Sequence, residues 1–135
     1  MDGYPVTVRF PMHWGEMDAL GHANNTRYFA WFESARIAVF ERLGLRADMP
    51  TDRGPILATT TCDFLQPIRW PADLLVGARI PSVGRTSFTM DYAIALGSAP
   101  DDPCAKGTSV IVLVNYQTGE KVPLDDAFRE RINAL

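Results

Sequence analysis

The sequence predicts an α+β fold, one long helix packed against a five-stranded antiparallel sheet. Three features lead there: one extended helical periodicity, four β-rich segments that follow it with no helix between them, and one short alternating segment that precedes it. Across residues 24–43 apolar side chains recur at Tyr28, Trp31, Phe32, Ala35, Ala38, Val39 and Leu43, the spacing of a helix face, and Gly44 follows as a stop. This is a helix of about five turns. Ala30, Ser34 and Ile37 lie off the main stripe yet are small or apolar, so the helix is expected to be covered over more than half its circumference.

Residues 56–65, 74–83, 86–96 and 108–116 are rich in β-branched or aromatic side chains and bounded by Gly or Pro. The clearest is 86–96, where Phe88, Met90, Tyr92, Ile94 and Leu96 alternate with smaller or polar residues, the period of a strand with one buried face. Gly84 and Arg85 form a hairpin turn before it, and residues 97–104 read as a turn-rich loop. Val110 to Val114 suits an interior strand. Val6, Val8 and Phe10 alternate ahead of the helix and add a fifth strand, while residues 125–132 suggest a short terminal helix. Without βαβ alternation after the first helix, a single antiparallel sheet is the economical arrangement. All 135 residues are expected to form one domain.

Composition narrows the function. The formal net charge is −3 and basic residues are scattered singly, which disfavours nucleic acid as a partner. No apolar run is long enough to span a membrane, and the start MDGYPVTVRF lacks the features of a signal peptide, so a cytoplasmic location is expected. Cys62 and Cys104 have neither metal-ligand nor disulfide-framework spacing and are expected to be two buried thiols.

Polar residues crowd the turn before the helix: Asp18, Gly21, His22, Asn24 and Asn25 fall within eight positions. The first amides of a helix lack intrahelical partners and carry the positive end of its dipole, so they suit a developing oxyanion. A carboxylate just before them faces the same point. The same residues are also ordinary caps and turn formers, and on residue type alone that reading is the stronger.

The stretch EMDALGHANNTRYFAWFESAR resembles the signature of the 4-hydroxybenzoyl-CoA thioesterase-like, acyl-CoA thioesterase branch of the hotdog superfamily, with its Asp-x-x-Gly-His-x-Asn-Asn-x-x-Tyr pattern. Here the pattern falls on Asp18, Gly21, His22, Asn24, Asn25 and Tyr28. The resemblance implies a hotdog fold and hydrolysis of an acyl thioester. It implies Asp18 as nucleophile or general base, with the helix-start amides between Gly21 and Asn25 polarising the carbonyl. Catalytic candidates are thus Asp18, His22 and Asn25; substrate-binding candidates are Gly21, Asn24, Tyr28, Arg85 and Thr86. Relatives with a Tyr-His-x-Asn-Tyr version carry their His near the position of Asn25, so His22 is open to two roles, proton transfer or, with more weight, bracing of the loop. Asn24 is expected to cap the helix or brace the loop.

No metal and no cofactor are expected, coenzyme A being part of the substrate; a thiolate leaves readily without a Lewis acid. The thioester carrier is coenzyme A or acyl carrier protein, since plant acyl-carrier thioesterases share a His-x-Asn-Asn segment. Arg69, Arg79, Arg85 and Lys106 are candidates for the phosphates, Arg85 foremost. Trp31 is assigned to the core, and Asp63 is read as pointing outward or serving an interface. The resemblance also implies a homodimer or dimer of dimers that continues the sheet across subunits, which would cover unpaired sheet edges. Competing readings are a dehydratase or hydratase, whose His motif is absent here, a non-catalytic acyl-CoA binding or sensing module, and a pocket protein of unrelated ancestry.

Overall fold

The computed structural model describes residues 1–45 and 52–135. Its elements run β1 (Val6–Pro11), α1 (Asn25–Leu43), β2 (Gly54–Phe64), β3 (Asp73–Val83), β4 (Ser87–Leu96), β5 (Pro103–Val114) and α2 (Asp126–Asn133). The strands form one sheet in the order β1-β3-β4-β5-β2, and every neighbouring pair is antiparallel. The chain therefore leaves one edge of the sheet at β1, crosses its face as α1 and returns on the opposite edge as β2. This places the start of α1 beside the far end of β2, the junction on which the site is built.

The alternation in β4 does what its period requires: Phe88, Met90, Tyr92 and Ile94 are buried toward α1. They meet Tyr28, Trp31, Phe32, Ala35, Val39 and Leu43 from the helix. Ala93 and Ala95, on the other face, are buried as well. The first residues of the chain lie across that outer face; a Cβ at Gly77, the partner of Ala93 in β3, would stand 2.7 Å from Tyr4 Cβ and 2.9 Å from Met1 Sδ.

Both ends of α1 are made by local chemistry. Asn24 is extended, and its Oδ1 accepts from the Thr26 amide at 2.9 Å and from the Thr26 hydroxyl at 2.7 Å. Gly44 closes the helix at φ 77°, a left-handed conformation that favours glycine. Asn24→Ala is expected to lower stability by about 1 kcal/mol, the usual value of an N-cap, read as a shift in the urea midpoint with an unchanged slope. The short terminal helix is present, capped by Asp125, whose Oδ1 accepts from the Phe128 amide at 2.8 Å.

Two expectations need correction. β5 begins at Pro103, inside the segment read as loop, because Cys104, Ala105 and Gly107 are small residues that fit a crowded interior strand between β4 and β2. The helix is covered on one face only: Ala30 and Ser34 are exposed and Ile37 is 50% exposed. One five-stranded sheet curves around one side of a helix, and nothing else among the described residues reaches the other. The edge strand β2 is open too, with Ile56, Leu57 and Phe64 exposed on it.

Candidate active site

The segment between β1 and α1 is held in a compact form by its own polar groups. The Met12 amide donates to Ala72 O at 2.8 Å, after which Trp14–Glu16 makes one 3-10 turn. Glu16 ties the turn to the helix: its Oε1 accepts from the His13 amide at 2.7 Å and its Oε2 from Trp31 Nε1 at 2.8 Å. Trp31 is core, as its spacing implied, with its polar edge satisfied by Glu16. The chain then forms a small hairpin in which Met17 bridges Ala23, the Asp18 amide donates to His22 O at 2.8 Å, and the Asn24 amide donates to Glu16 O at 2.9 Å. Gly21 turns this hairpin at φ 80°.

Asp18 sits at the head of that hairpin. Its Oδ1 accepts from the Leu20 amide at 2.9 Å, an Asx turn that fixes the carboxyl group and leaves Oδ2 without a partner among the described residues. The side chain is exposed to a cavity of about 320 Å³. Asp18, His22, Asn25 and Tyr28 line it together. The Asn25 amide is the first of the helix and makes no hydrogen bond among the described residues. Asp18, with one free carboxylate oxygen, and Asn25, whose amide starts the helix, thus line one cavity.

Gly21 and Asn24 shape the loop without lining the cavity: one makes the turn, the other caps the helix. His22 is more informative. Its Nε2 is buried and has no hydrogen-bond partner, although an unpaired buried nitrogen costs about 1–3 kcal/mol. Bracing of the loop is carried by the His22 backbone, through its carbonyl, while the ring nitrogen stays buried and unpaired among the described residues.

Arg85 and Thr86 are not brought to this cavity. They occupy the turn between β3 and β4, where Gly84 N donates to Ser87 O at 2.7 Å and Leu124 N to Arg85 O at 2.9 Å. Asp18 adjoins the other end of the sheet, and the ten residues of β4 put about 30 Å between the two ends. Asp63 is exposed on the sheet face away from α1, in register with Lys106, which matches its outward reading. Arg79 pairs with Asp91 at 3.1 Å.

The remaining wall comes from residues that sequence reasoning did not single out: Phe64, Leu65, Gln66 and Pro67, at the exit of β2. Phe64 meets Tyr28 edge-on at 4.9 Å, and Ile68 O accepts from the Ala23 amide at 2.7 Å, which pins this segment to the hairpin. Burial raises the Tyr28 phenol above its ordinary value; Cys104 and Cys62 add to the rise and the Ile68 backbone opposes it. Tyr28 thus stays neutral at pH 7 and presents a hydroxyl. Cys104 is buried, whereas Cys62 is half-buried, a partial departure from the expected pair of buried thiols. Burial, with a smaller contribution from Asp63, pushes the Cys62 thiol up to about 11, so it is a poor nucleophile at neutral pH.

Among the described residues no group of three or more His, Cys, Asp or Glu is placed to hold a metal ion, and no helix is long and apolar enough to cross a membrane. A profile of the thioesterase-like superfamily matches residues 12–132. The chain belongs to that superfamily. It is 30% identical over 128 residues to the uncharacterized protein YsmA of Bacillus subtilis (strain 168), an alignment covering 94% of this chain and 82% of YsmA. Among solved structures it resembles a thioesterase from Thermus thermophilus complexed with coenzyme A and Zn, at 33% identity and TM-score 0.84, over 99% of this chain and 96% of that one. It also resembles a thioesterase superfamily protein of Jannaschia sp. CCS1, at 26% identity and TM-score 0.88, over 98% and 83% of the two chains. The fold is the hotdog fold of these thioesterases, and family and neighbours alike support thioester hydrolysis.

Proposed function

We propose that the chain is an acyl-CoA thioesterase acting in the cytoplasm, with Asp18 as general base or nucleophile and the Asn25 amide as the oxyanion donor. One observation carries the reading: a carboxylate with one oxygen immobilised and the other free shares a cavity with Asn25, the residue whose unused amide starts the helix. In the general-base form, Asp18 Oδ2 takes a proton from water as the water oxygen attacks the thioester carbonyl. The carbonyl oxygen becomes an oxyanion facing the Asn25 amide and the positive end of α1. Collapse expels the thiolate, which recovers the proton from Asp18 and leaves as the thiol. His22 Nε2, buried and unpaired, is the second group able to hold the water or relay that proton. In this reading Tyr28, which lines the same cavity, lies beside the thioester.

The reading includes a homodimer that completes the site. Support comes from the open β2 edge, its exposed Ile56 and Leu57, and the bare face of α1 around Ile37. Sedimentation equilibrium is expected to return twice the 15.0 kDa chain mass or a higher even multiple. Ile56→Arg on the edge strand is expected to shift the protein toward the single-chain mass, and a wild type that sediments as a single chain at micromolar concentration would refute the dimer.

The deciding assay is release of free thiol from short, medium, long and aromatic acyl-CoAs. Turnover on at least one class is expected. Saturable binding of acyl-CoA with no turnover on any member would replace the hydrolase with a sensing module, and turnover confined to acyl carrier protein thioesters would change the carrier.

A further inference from the structure

Asp18 and Asn25 stand on different elements, one on the hairpin that precedes α1 and the other on the helix itself. Their mutual placement is therefore only as firm as the joint between hairpin and helix. Glu16 makes that joint twice. Its backbone carbonyl accepts from the Asn24 amide at 2.9 Å, next to the first helical residue. One hydrogen bond at the end of a helix leaves the helix free to swing about it. The second attachment is the Glu16 side chain, whose Oε2 accepts from Trp31 Nε1 at 2.8 Å. Trp31 lies about 9 Å further along the helix axis than Asn25 at the usual rise per residue. Two attachments that far apart fix a tilt where one does not.

The strut is braced at its own base. Glu16 Oε1 accepts from the His13 amide at 2.7 Å, and the Glu16 amide donates to His13 O at 3.0 Å. Two N–H groups thus converge on one side chain. A carboxylate accepts at both oxygens, whereas an amide side chain would turn an N–H toward one of the two donors. At the far end, the Trp31 ring is 3% exposed and packs on Tyr28 with centroids 5.0 Å apart, and Tyr28 meets Phe64 of the cavity wall. Glu16 itself is not among the residues that line the cavity.

We infer that Glu16 is a positioning residue for the hydrolysis: without touching the thioester, it holds the tilt of α1 against the hairpin and so the aim of the Asn25 amide relative to Asp18. The role rests on the thioesterase reading for the reaction it serves; the tilt does not. A misplacement of about 1 Å, made at a distance from the chemistry, can cost about a hundredfold in rate.

The test reads kcat and KM per folded molecule, on the acyl-CoA that wild type hydrolyses best. Glu16→Ala lowers kcat about tenfold or more and changes KM by less than about twofold, because the substrate keeps its contacts and only the alignment of the reacting groups is lost. Glu16→Gln, which keeps one oxygen for Trp31, recovers part of the rate. Trp31→Phe removes the other end of the strut and lowers kcat to a similar degree, and combining it with Glu16→Ala adds little. In an Asp18→Asn background Glu16→Ala alters the residual rate by less than about twofold, since no carboxylate remains to be aligned with the amide. A general loosening of the loop would take the same factor from both backgrounds. If Glu16→Ala does not fold, Trp31→Phe carries the same comparisons with a buried ring retained. The tilt has a readout that needs no turnover: residual dipolar couplings of the α1 amides, referred to those of β4, shift in Glu16→Ala and in Trp31→Phe. Unchanged couplings, an unchanged kcat per folded molecule, or an equal loss in the Asp18→Asn background would each overturn the inference. Shifted couplings in a protein that hydrolyses no thioester would leave Glu16 holding the helix and remove the thioesterase reading.

Discussion

Asp18→Asn is expected to lower the rate of thiol release about a thousandfold while leaving the folded protein intact. The asparagine side chain keeps an oxygen in the place of Oδ1, so the 2.9 Å bond from the Leu20 amide survives and the hairpin of Met17 to Ala23 holds its shape. What disappears is the anionic oxygen that takes a proton from water or attacks the carbonyl. Positioned acid–base groups contribute about 10²–10⁴ in rate, which sets the size of the effect. The matching structural control is Asp18→Ala, which deletes the Asx turn as well and is expected to lose stability in addition to activity. Parallel melting curves and thiol-release rates separate the two losses. More than a tenth of wild-type turnover in Asp18→Asn would remove Asp18 from the chemistry and leave the Asn25 amide without a catalytic partner.

Much of this arrangement was legible in the residue pattern because it is local. The period of 3.6 that locates α1 and the period of two that locates β4 are consequences of backbone geometry, and Asn24 and Gly44 carry the chemistry of the two helix ends in their own side chains or lack of one. The polar cluster from Asp18 to Asn25 was visible for the same reason, since its hairpin closes on itself within eight residues, but residue type alone favoured caps and turns and only the family resemblance read it as a site. What the sequence did not show is set by distant partners. The start of β5 at Pro103 was hidden because Cys104, Ala105 and Gly107 carry no strand-forming signal of their own; at Gly107 the small size is demanded by Phe32 of the helix above it. The cavity wall from Phe64 to Pro67 lies far along the chain from Asp18 and carries no motif, and its one warning sign was the pair of apolar side chains, Phe64 and Leu65, that β2 leaves exposed at its end. Arg85 lies about the length of a ten-residue strand from Asp18 in its own chain, a separation that no local pattern in the sequence states.

Phe32 and Gly107 carry the second large effect. The Phe32 ring is fully buried, stacked on Tyr92 with centroids 4.8 Å apart, and it rests on the backbone of β5 at Gly107. A Cβ added at Gly107 would collide with the ring and would also stand 2.6 Å from Thr61 O, a backbone atom that cannot turn aside. The absence of a side chain at 107 therefore sets how closely α1 approaches the sheet, and through α1 it sets where Asn25 and Tyr28 meet the wall at Phe64. Phe32→Ala is expected to cost about 3–5 kcal/mol, a large share of the roughly 5–15 kcal/mol typical of a folded domain. Gly107→Val is expected to destabilise by about 1–3 kcal/mol or more through overpacking, and to depress turnover in the fraction that still folds by lifting the start of the helix. In the double variant the valine enters space vacated by the ring, so the two losses are expected to sum to less than their separate values, by at least about 1 kcal/mol. The collision with Thr61 O persists, so compensation stays incomplete. Urea unfolding of wild type, both single variants and the double variant measures the coupling; strictly additive losses would mean that the glycine answers to the β2 backbone alone and that the ring does not set the height of the helix.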